Sequence, residues 1–178
     1  MARKVEVAIK GLPPGLLMHR FPLEPVEAIE KKSPEDQAEI AAYRTPDDEL
    51  YIPGIAIQRA LVNGATFSKG KGRASLQKVV AACVFVSPEY CITKSQEYVV
   101  DTRPVVVPAT KGRVLRHRPR LEEWETQFEI EFDETLLTED QVRKVVDDTG
   151  SRVGLLDFRP EKKGPFGRFM VTAWKASK

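Results

Sequence analysis

The strict alternation of residues 124–132 constrains the fold of this 178-residue chain more than any other feature. Apolar or β-favouring side chains stand at every second position from Trp124 to Phe132, and glutamates and Gln127 fill the positions between them. Because successive side chains of a β-strand point to opposite faces of a sheet, the pattern predicts a strand with one face in the core. Its other face meets water or a basic partner.

Other segments predict further strands and the helices that cover them. Strand patterns occupy residues 4–10, 97–107 and 168–174, and the last of these is expected to place Phe169, Val171 and Ala173 on one face. The apolar run at residues 79–86 continues a helix from about Ser75 and is expected to end as a buried strand. Helices are expected over residues 55–63, from about Ser75, and after the capping box Thr138-Glu-Asp-Gln141, where Gly150 marks the end. Strands and helices therefore alternate along most of the chain.

Residues 16–50 interrupt this order. Four prolines and an excess of acidic residues predict a peripheral arm there, with one short helix that Ser33 caps. Without the arm, the order of elements is close to strand, helix, strand, strand, helix, strand. The sequence therefore predicts a single α+β domain over residues 1–178, with a ferredoxin-like (RRM-like) antiparallel sheet, helices on one face, and residues 16–50 as an inserted Pro-rich and acidic arm.

Composition excludes several classes of protein. No apolar run approaches the roughly 18 residues that a membrane-spanning helix needs. Cys83 and Cys91 form no CxxC pair, and two histidines are too few for most histidine-based metal sites. We therefore expect a cytoplasmic protein with no membrane partner, no metal and no cofactor.

The net charge of +2 conceals blocks of opposite sign. Residues 51–120 carry a charge of +9, and residues 121–148 carry −9. Such segregation predicts a dipolar surface if the basic segments gather on one face of the fold. The alternative is that the charge blocks lie apart in the folded protein, and the sequence leaves both outcomes open.

The most basic block is residues 111–120, which has no acidic residue. Arginine offers planar donors for phosphate and stacks on bases, so this block indicates a nucleic-acid contact. The candidate contact residues are Lys111, Arg113, Arg116, His117, Arg118 and Arg120. The alternative is a solvated hairpin whose arginines pair with the acidic strand at residues 122–131.

Two glycine-bearing segments extend the candidate nucleic-acid surface. In residues 64–73, a flexible basic loop surrounds one aromatic ring, and its candidates are Phe67, Lys69, Lys71 and Arg73. In residues 159–169, Gly164 and Gly167 would let the backbone approach a ligand, and the candidates are Arg159, Lys162, Lys163 and Arg168. The alternatives are a disordered surface loop for the first, and for the second a tight turn before an edge strand whose aromatic rings lie in the core.

Two short motifs resemble a known superfamily. These are Ile52-Pro-Gly-Ile-Ala-Ile-Gln-Arg-Ala-Leu61, which begins a predicted helix, and Gly164-Pro-Phe-Gly-Arg-Phe169, which precedes the last strand. Together with the ferredoxin-like order they are similar to the RAMP superfamily of CRISPR-associated proteins. The resemblance implies binding of guide or other single-stranded RNA, as a repeating backbone subunit of a ribonucleoprotein complex.

The sequence thus favours a non-catalytic, low-specificity subunit that binds single-stranded RNA or DNA, RNA above DNA, and associates with further copies along the strand. Two alternatives stay open. One is a structural or assembly protein, of viral or mobile-element origin, that oligomerises through charge-complementary faces. The other is a metal-independent endoribonuclease, in which His19 or His117 acts with Tyr43, Tyr51 or Lys111.

Overall fold

The computed structural model describes residues 1–70, 72 and 74–176, so the candidates Lys71 and Arg73 lie outside the described residues. The strands are β1 (Ala2–Gly11), β2 (Leu16–Leu17), β3 (Tyr51–Pro53), β4 (Val84–Ser87), β5 (Tyr90–Ile92), β6 (Val99–Val106), β7 (Arg113–Leu121), β8 (Glu125–Asp133) and β9 (Phe169–Ala176). The helices are α1 (Val26–Glu30), α2 (Pro34–Ala41), α3 (Gly54–Gly64), α4 (Gln77–Cys83) and α5 (Glu139–Asp148). The chain is therefore α+β, as predicted.

Four antiparallel strands form the main sheet in the order β4-β8-β1-β9. One face carries the predicted apolar alternation, and Val7 of β1 lies opposite Phe128 of β8 in the register. Both side chains are buried in one core cluster with Ile57 of α3 and Val146 of α5. The alternation of residues 124–132 therefore predicted this strand and its buried face correctly.

The prediction for the last strand was wrong at one position. The pairing of β1 with β9 shifts register between Ala8 and Ile9, which places a bulge in β9. As a result Ala173 pairs with Ala8 on the open face, and Trp174 replaces it on the core side opposite Val7. A bulge inserts one residue and reverses the faces of the residues that follow it, and no local pattern announces it.

Lysines of β1 neutralise the glutamates on the open face of the main sheet. Lys4 Nζ lies 2.7 Å from Glu129 Oε1, and Lys10 Nζ lies 4.0 Å from Glu125 Oε1. The carboxylate of Glu129 raises the pKa of Lys4. The block of acidic residues in β8 is thus balanced within the sheet.

Helix boundaries follow their local capping signals. In α5 the Thr138 hydroxyl accepts from the backbone N–H of Gln141 at 3.2 Å, while the Gln141 side chain accepts from the backbone N–H of Thr138, so the predicted capping box is present. In α2 the Ser33 hydroxyl accepts from the backbone N–H of Asp36 at 3.1 Å.

Among the helices of residues 1–70, 72 and 74–176, none has the length and apolar character needed to span a membrane.

Strands β6 and β7 form a long hairpin beside the main sheet, with β2 paired to its base. Most of the basic block at residues 111–120 is strand, because β7 covers Arg113–Leu121. The turn itself closes where the Val107 backbone N–H donates to the Gly112 carbonyl at 2.9 Å. Helix α2 of the arm packs on this hairpin, so residues 34–41 cover it on one side.

Candidate nucleic-acid interface

An open cleft of about 550 Å³ lies between helix α3 and the loop of residues 154–159. The helix contributes Ile55, Arg59 and Asn63, which share one helix face because they are spaced by four residues. Arg59 is exposed and has no ion-pair partner among the residues that the structure describes. We call this cavity the tyrosine cleft, after the rings that close one end.

Tyr43 and Tyr51 line the aromatic end of the tyrosine cleft, and Tyr90 packs against Tyr51. The rings of Tyr43 and Tyr51 meet edge to face with centroids 5.7 Å apart, and those of Tyr51 and Tyr90 are 4.7 Å apart. Burial raises the pKa of Tyr43 and of Tyr51, so both phenols are neutral at physiological pH. The rings therefore present a neutral aromatic surface.

Asp157, which lines the tyrosine cleft, contacts two basic side chains. Arg118 Nη1 donates to Asp157 Oδ2, and His19 Nδ1 lies 3.6 Å from the same oxygen. Burial alone would raise the pKa of the Asp157 carboxyl, but the hydrogen bond from His19 and the charge of Arg118 outweigh it and lower the pKa to about 2. Asp157 is therefore ionised at neutral pH and fixes the two basic side chains.

The loop of residues 154–159, which forms the wall of the tyrosine cleft opposite helix α3, has unusual backbone geometry. Leu156 and Phe158 have φ values of 59° and 47°, in the left-handed region that non-glycine residues avoid. Arg159 braces the loop by donating to the Leu156 carbonyl at 2.7 Å and to Glu161 at 2.7 Å. Glu161 also accepts from Asn63 at 2.8 Å, which ties the loop to helix α3.

A second, shallower cavity of about 180 Å³ adjoins the tyrosine cleft, and His19 lines both. We call it the arginine groove, because Arg20, Arg116 and Arg118 line it together with Phe21. The Phe21 side chain is 90% exposed, next to these cations. The two cavities therefore share His19 and together present aromatic rings and basic groups beside the carboxylates of Glu24, Glu89 and Asp157.

Three of the four arginines of β7, which are Arg116, Arg118 and Arg120, pair with carboxylates of the same chain. Arg116 Nη1 lies 3.8 Å from Glu30, and Arg120 Nη2 lies 2.7 Å from Glu122. Together with the Arg118–Asp157 pair, these contacts agree in part with the alternative interpretation of residues 111–120, in which the arginines pair with carboxylates of the same chain. Only Glu122 belongs to the acidic segment at residues 122–131 that was expected to supply the partners.

Asp101 on β6 organises the inner face of the hairpin. It is 6% exposed and accepts from Arg103 at 2.7 Å and 3.1 Å, and from Arg120 at 3.5 Å. The Arg103 guanidinium also lies over the Phe166 ring, 4.8 Å from its centroid. These contacts hold the base of the hairpin against the loop that carries Phe166.

The remaining candidates in this block are placed differently. Lys111 and Arg113 are exposed at the turn of the hairpin and have no ion-pair partner within the described part of the chain. His117 lies in the arginine groove, where its Nδ1 is 2.7 Å from the Thr102 hydroxyl. The tip of the hairpin therefore offers cations to a ligand, whereas its base uses them internally.

In the segment at residues 159–169 the glycines pack against the protein itself. A Cβ at Gly164 would stand 1.9 Å from the Phe158 carbonyl oxygen, and one at Gly167 would stand 2.0 Å from that of Leu155. Phe166 and Phe169 are buried in the core, as the alternative of a tight turn before an edge strand predicts. The candidates Lys162, Lys163 and Arg168 are exposed.

The segment at residues 64–73 follows helix α3. Phe67 is half exposed, and the Arg152 guanidinium lies over its ring, 5.0 Å from the centroid. Lys69 is exposed, and backbone hydrogen bonds from Gly70 to Ala74 and from Leu76 to Ser68 close the described part of the loop. Neither of its described candidates, Phe67 and Lys69, lines the tyrosine cleft or the arginine groove.

Sequence reasoning missed several residues of these cavities. Arg59 and Asn63 carried a usable signal, since their spacing places them on one face of a predicted helix with Ile55. Arg20 and Phe21 lie in the arm, whose composition suggested only a peripheral role. No protein-family model matches this chain, and a search of curated proteins found no match.

Proposed function

We propose that the protein binds single-stranded nucleic acid, RNA in preference to DNA, along the tyrosine cleft and the arginine groove, as a non-catalytic subunit. One observation carries this proposal. Basic and aromatic side chains from the arm, helix α3, strand β7 and the 154–159 loop line two cavities that meet at His19. Single-stranded nucleic acids are bound by this combination, with cations for phosphates and rings for bases.

The cations divide into two groups with different tasks. Arg59, Lys111 and Arg113 are exposed and have no ion-pair partner among the described residues, so they are available to phosphates. Arg116 and Arg118 are held by carboxylates and line the arginine groove as fixed donors. Because phosphate contacts carry no sequence information, binding of this kind has low sequence specificity.

Stacking on the exposed rings supplies the second contribution. Phe21 is the most exposed ring of the two cavities, and Tyr51 stands in the tyrosine cleft. Each base stacked on such a ring contributes roughly 1–3 kcal/mol and tolerates any base. A strand that follows both cavities would place bases at Phe21 and Tyr51, and phosphates between them.

The fold supports a further part of the proposal, a role like that of a RAMP backbone subunit. The strand order β4-β8-β1-β9, with α3 and α5 on one face, supports a ferredoxin-like arrangement. Together with the motif at residues 52–61, this favours a RAMP-like backbone subunit of a cytoplasmic ribonucleoprotein complex. Copies of such a subunit would associate along one RNA strand.

A second candidate is metal-independent RNA cleavage, and one observation favours it. His19, Tyr43 and Tyr51 line the same cleft, and Asp157 orients His19 as carboxylates orient catalytic histidines. His117 lies outside that cleft. Cleavage of RNA by the wild-type protein in EDTA, lost in His19→Ala with RNA binding retained, would establish this candidate in place of the first.

Fluorescence anisotropy tests the main proposal. Labelled 30-mers of single-stranded RNA, single-stranded DNA and duplex RNA are titrated across a salt series. We expect tightest binding to single-stranded RNA, with affinity that falls steeply as salt rises. Equal weak binding to all three ligands, or none at low salt, would reject the proposal.

A further inference from the structure

We infer that the tyrosine cleft is a pocket for a single nucleotide, with the base at the tyrosine end and its phosphate at Arg59. This inference rests on the proposed function. Under it, the nucleotide of a bound strand that occupies the cleft makes contacts that the other nucleotides do not. The cleft volume of about 550 Å³ falls within the range of roughly 300–1,000 Å³ typical of small-ligand sites. The adjoining arginine groove, at about 180 Å³, is below that range.

The apolar end of the cleft has the features of a base-binding surface. Ile55 is 55% exposed although it stands beside Tyr51 on the cleft wall. A large apolar side chain exposed inside a concave aromatic site gains from being covered by a flat ligand. Tyr43 and Tyr51 support one another edge to face, which holds the surface rigid.

The phosphate position follows from the helix. Arg59 lies four residues after Ile55, about 6 Å further along the axis, so the cation and the apolar surface are separated as base and phosphate are in a nucleotide. Arg159, the other cleft arginine, is neutralised by Glu161 at 2.7 Å. One available cation matches one phosphodiester or monophosphate better than a polyphosphate.

Glu89 gives the pocket a preference among bases. It lines the cleft, is exposed, and has no ion-pair partner in the described residues, and its charge acts on the Tyr51 phenol. A carboxylate accepts hydrogen bonds from exocyclic amino groups, as in its pairing with the N4 amino group of cytosine. The pocket therefore favours cytosine over uracil, which lacks that donor.

The wall formed by the loop of residues 154–159 is preorganised for a ligand. Leu156 lies in the cleft wall with φ of 59°, and Gly154 beside it has φ of 74°. The positive φ of Leu156, a residue with a Cβ, is strained, and such strain persists where the surroundings determine it, which is common at ligand sites. The braces from Arg159 and Glu161 hold this wall in place.

Isothermal titration of the full chain with CMP, UMP, cytidine and ribose 5-phosphate tests the pocket. We expect CMP to bind at least about tenfold more tightly than the other three, because each of them lacks one of the proposed contacts. Arg59→Gln should weaken CMP about tenfold, and Ile55→Glu should abolish CMP binding. Lys78→Gln removes the same charge from an exposed position on α4 and should change nothing.

The same samples are titrated with the 30-mer RNA, which separates the two proposals. Binding of the 30-mer without detectable CMP binding would overturn the nucleotide pocket and leave the proposed function standing. CMP binding that survives both Arg59→Gln and Ile55→Glu would also overturn the pocket, and equal affinity for CMP and UMP would overturn its base preference. If neither ligand binds, both proposals fail. Ile55 and Arg59 are surface residues, so far-UV circular dichroism should confirm that both variants fold.

Discussion

Arg118 and Asp157 form an ion pair that joins the base of the β6–β7 hairpin to the loop of residues 154–159. The Arg118 side chain is only 6% exposed and that of Asp157 30%, and His19 approaches the same carboxylate oxygen at 3.6 Å. This pair lies where the tyrosine cleft and the arginine groove meet. One contact between distant segments therefore fixes the geometry of both cavities.

Removing the carboxylate should destabilise the fold. Asp157→Asn leaves the Arg118 charge without its partner, and because the Asp157 side chain is 30% exposed we expect a cost of about 2 kcal/mol, below the roughly 3–5 kcal/mol of a fully buried pair. Glu122→Gln is the control, because it removes an exposed partner of Arg120 and should cost about 1 kcal/mol or less. Urea denaturation at pH 7 measures both, and equal effects of the two substitutions would contradict this role for Asp157.

The Asp157 carboxylate should make the free energy of unfolding depend on pH. Its pKa is lowered to about 2 in the folded protein, so its contribution is fully present above the unfolded value near 4 and is lost as the pH falls towards 2. With part of the side chain exposed, we expect this loss to be on the order of 1–2 kcal/mol. Urea denaturation of wild type and Asp157→Asn between pH 6 and pH 2 tests it. Parallel curves for the two proteins would contradict the assignment.

The tip of the hairpin should contribute to RNA binding without contributing to stability. Lys111→Ala with Arg113→Ala removes two unpaired cations, so RNA affinity should fall, and the slope of log K against log salt should shrink by about 1.4, at 0.7 per phosphate contact. Lys10→Ala with Lys175→Ala makes the same charge change on the open face of the main sheet and is the control. Anisotropy that shows equal losses for both double variants would indicate a general charge effect.

Phe21 should act as a stacking residue. Because the ring is 90% exposed, Phe21→Ala should leave the unfolding free energy nearly unchanged. It should weaken RNA by about 1–3 kcal/mol, which is roughly 5- to 150-fold. Leu136→Ala truncates another exposed apolar side chain, outside both cavities, and should have no effect. An RNA affinity of Phe21→Ala equal to wild type would remove Phe21 from the interface.

The sequence predicted the elements whose cause is local. The period of two in β8 and the capping box of α5 each depend on a few neighbouring residues, and both are present as expected. The bulge in β9 depends on the pairing with β1, so the face of Ala173 was predicted wrongly. Helix α1 was missed because its five residues, held by the single buried Ile29, carry little periodic signal.

The site was harder to predict because its contacts are long range. Arg118 and Asp157 are 39 residues apart, and nothing near Asp157 in the sequence marks it as the partner of a buried arginine. The basic character of residues 111–120 was visible, but the sequence could not separate Lys111 and Arg113 at the tip from the arginines that pair inside the protein. That division arises from long-range contacts, in which Glu30 holds Arg116, Asp157 holds Arg118 and the buried Asp101 holds Arg120.

Photo-crosslinking tests most directly whether RNA lies in the two cavities. A single-stranded 30-mer containing 4-thiouridine is irradiated with the full protein, and the adducts are located by mass spectrometry. We predict adducts at Phe21 and at Tyr43 or Tyr51, which disappear when unlabelled RNA is added in excess. Adducts confined to the open face of the main sheet, at Phe85 or Met170, would contradict the proposed interface.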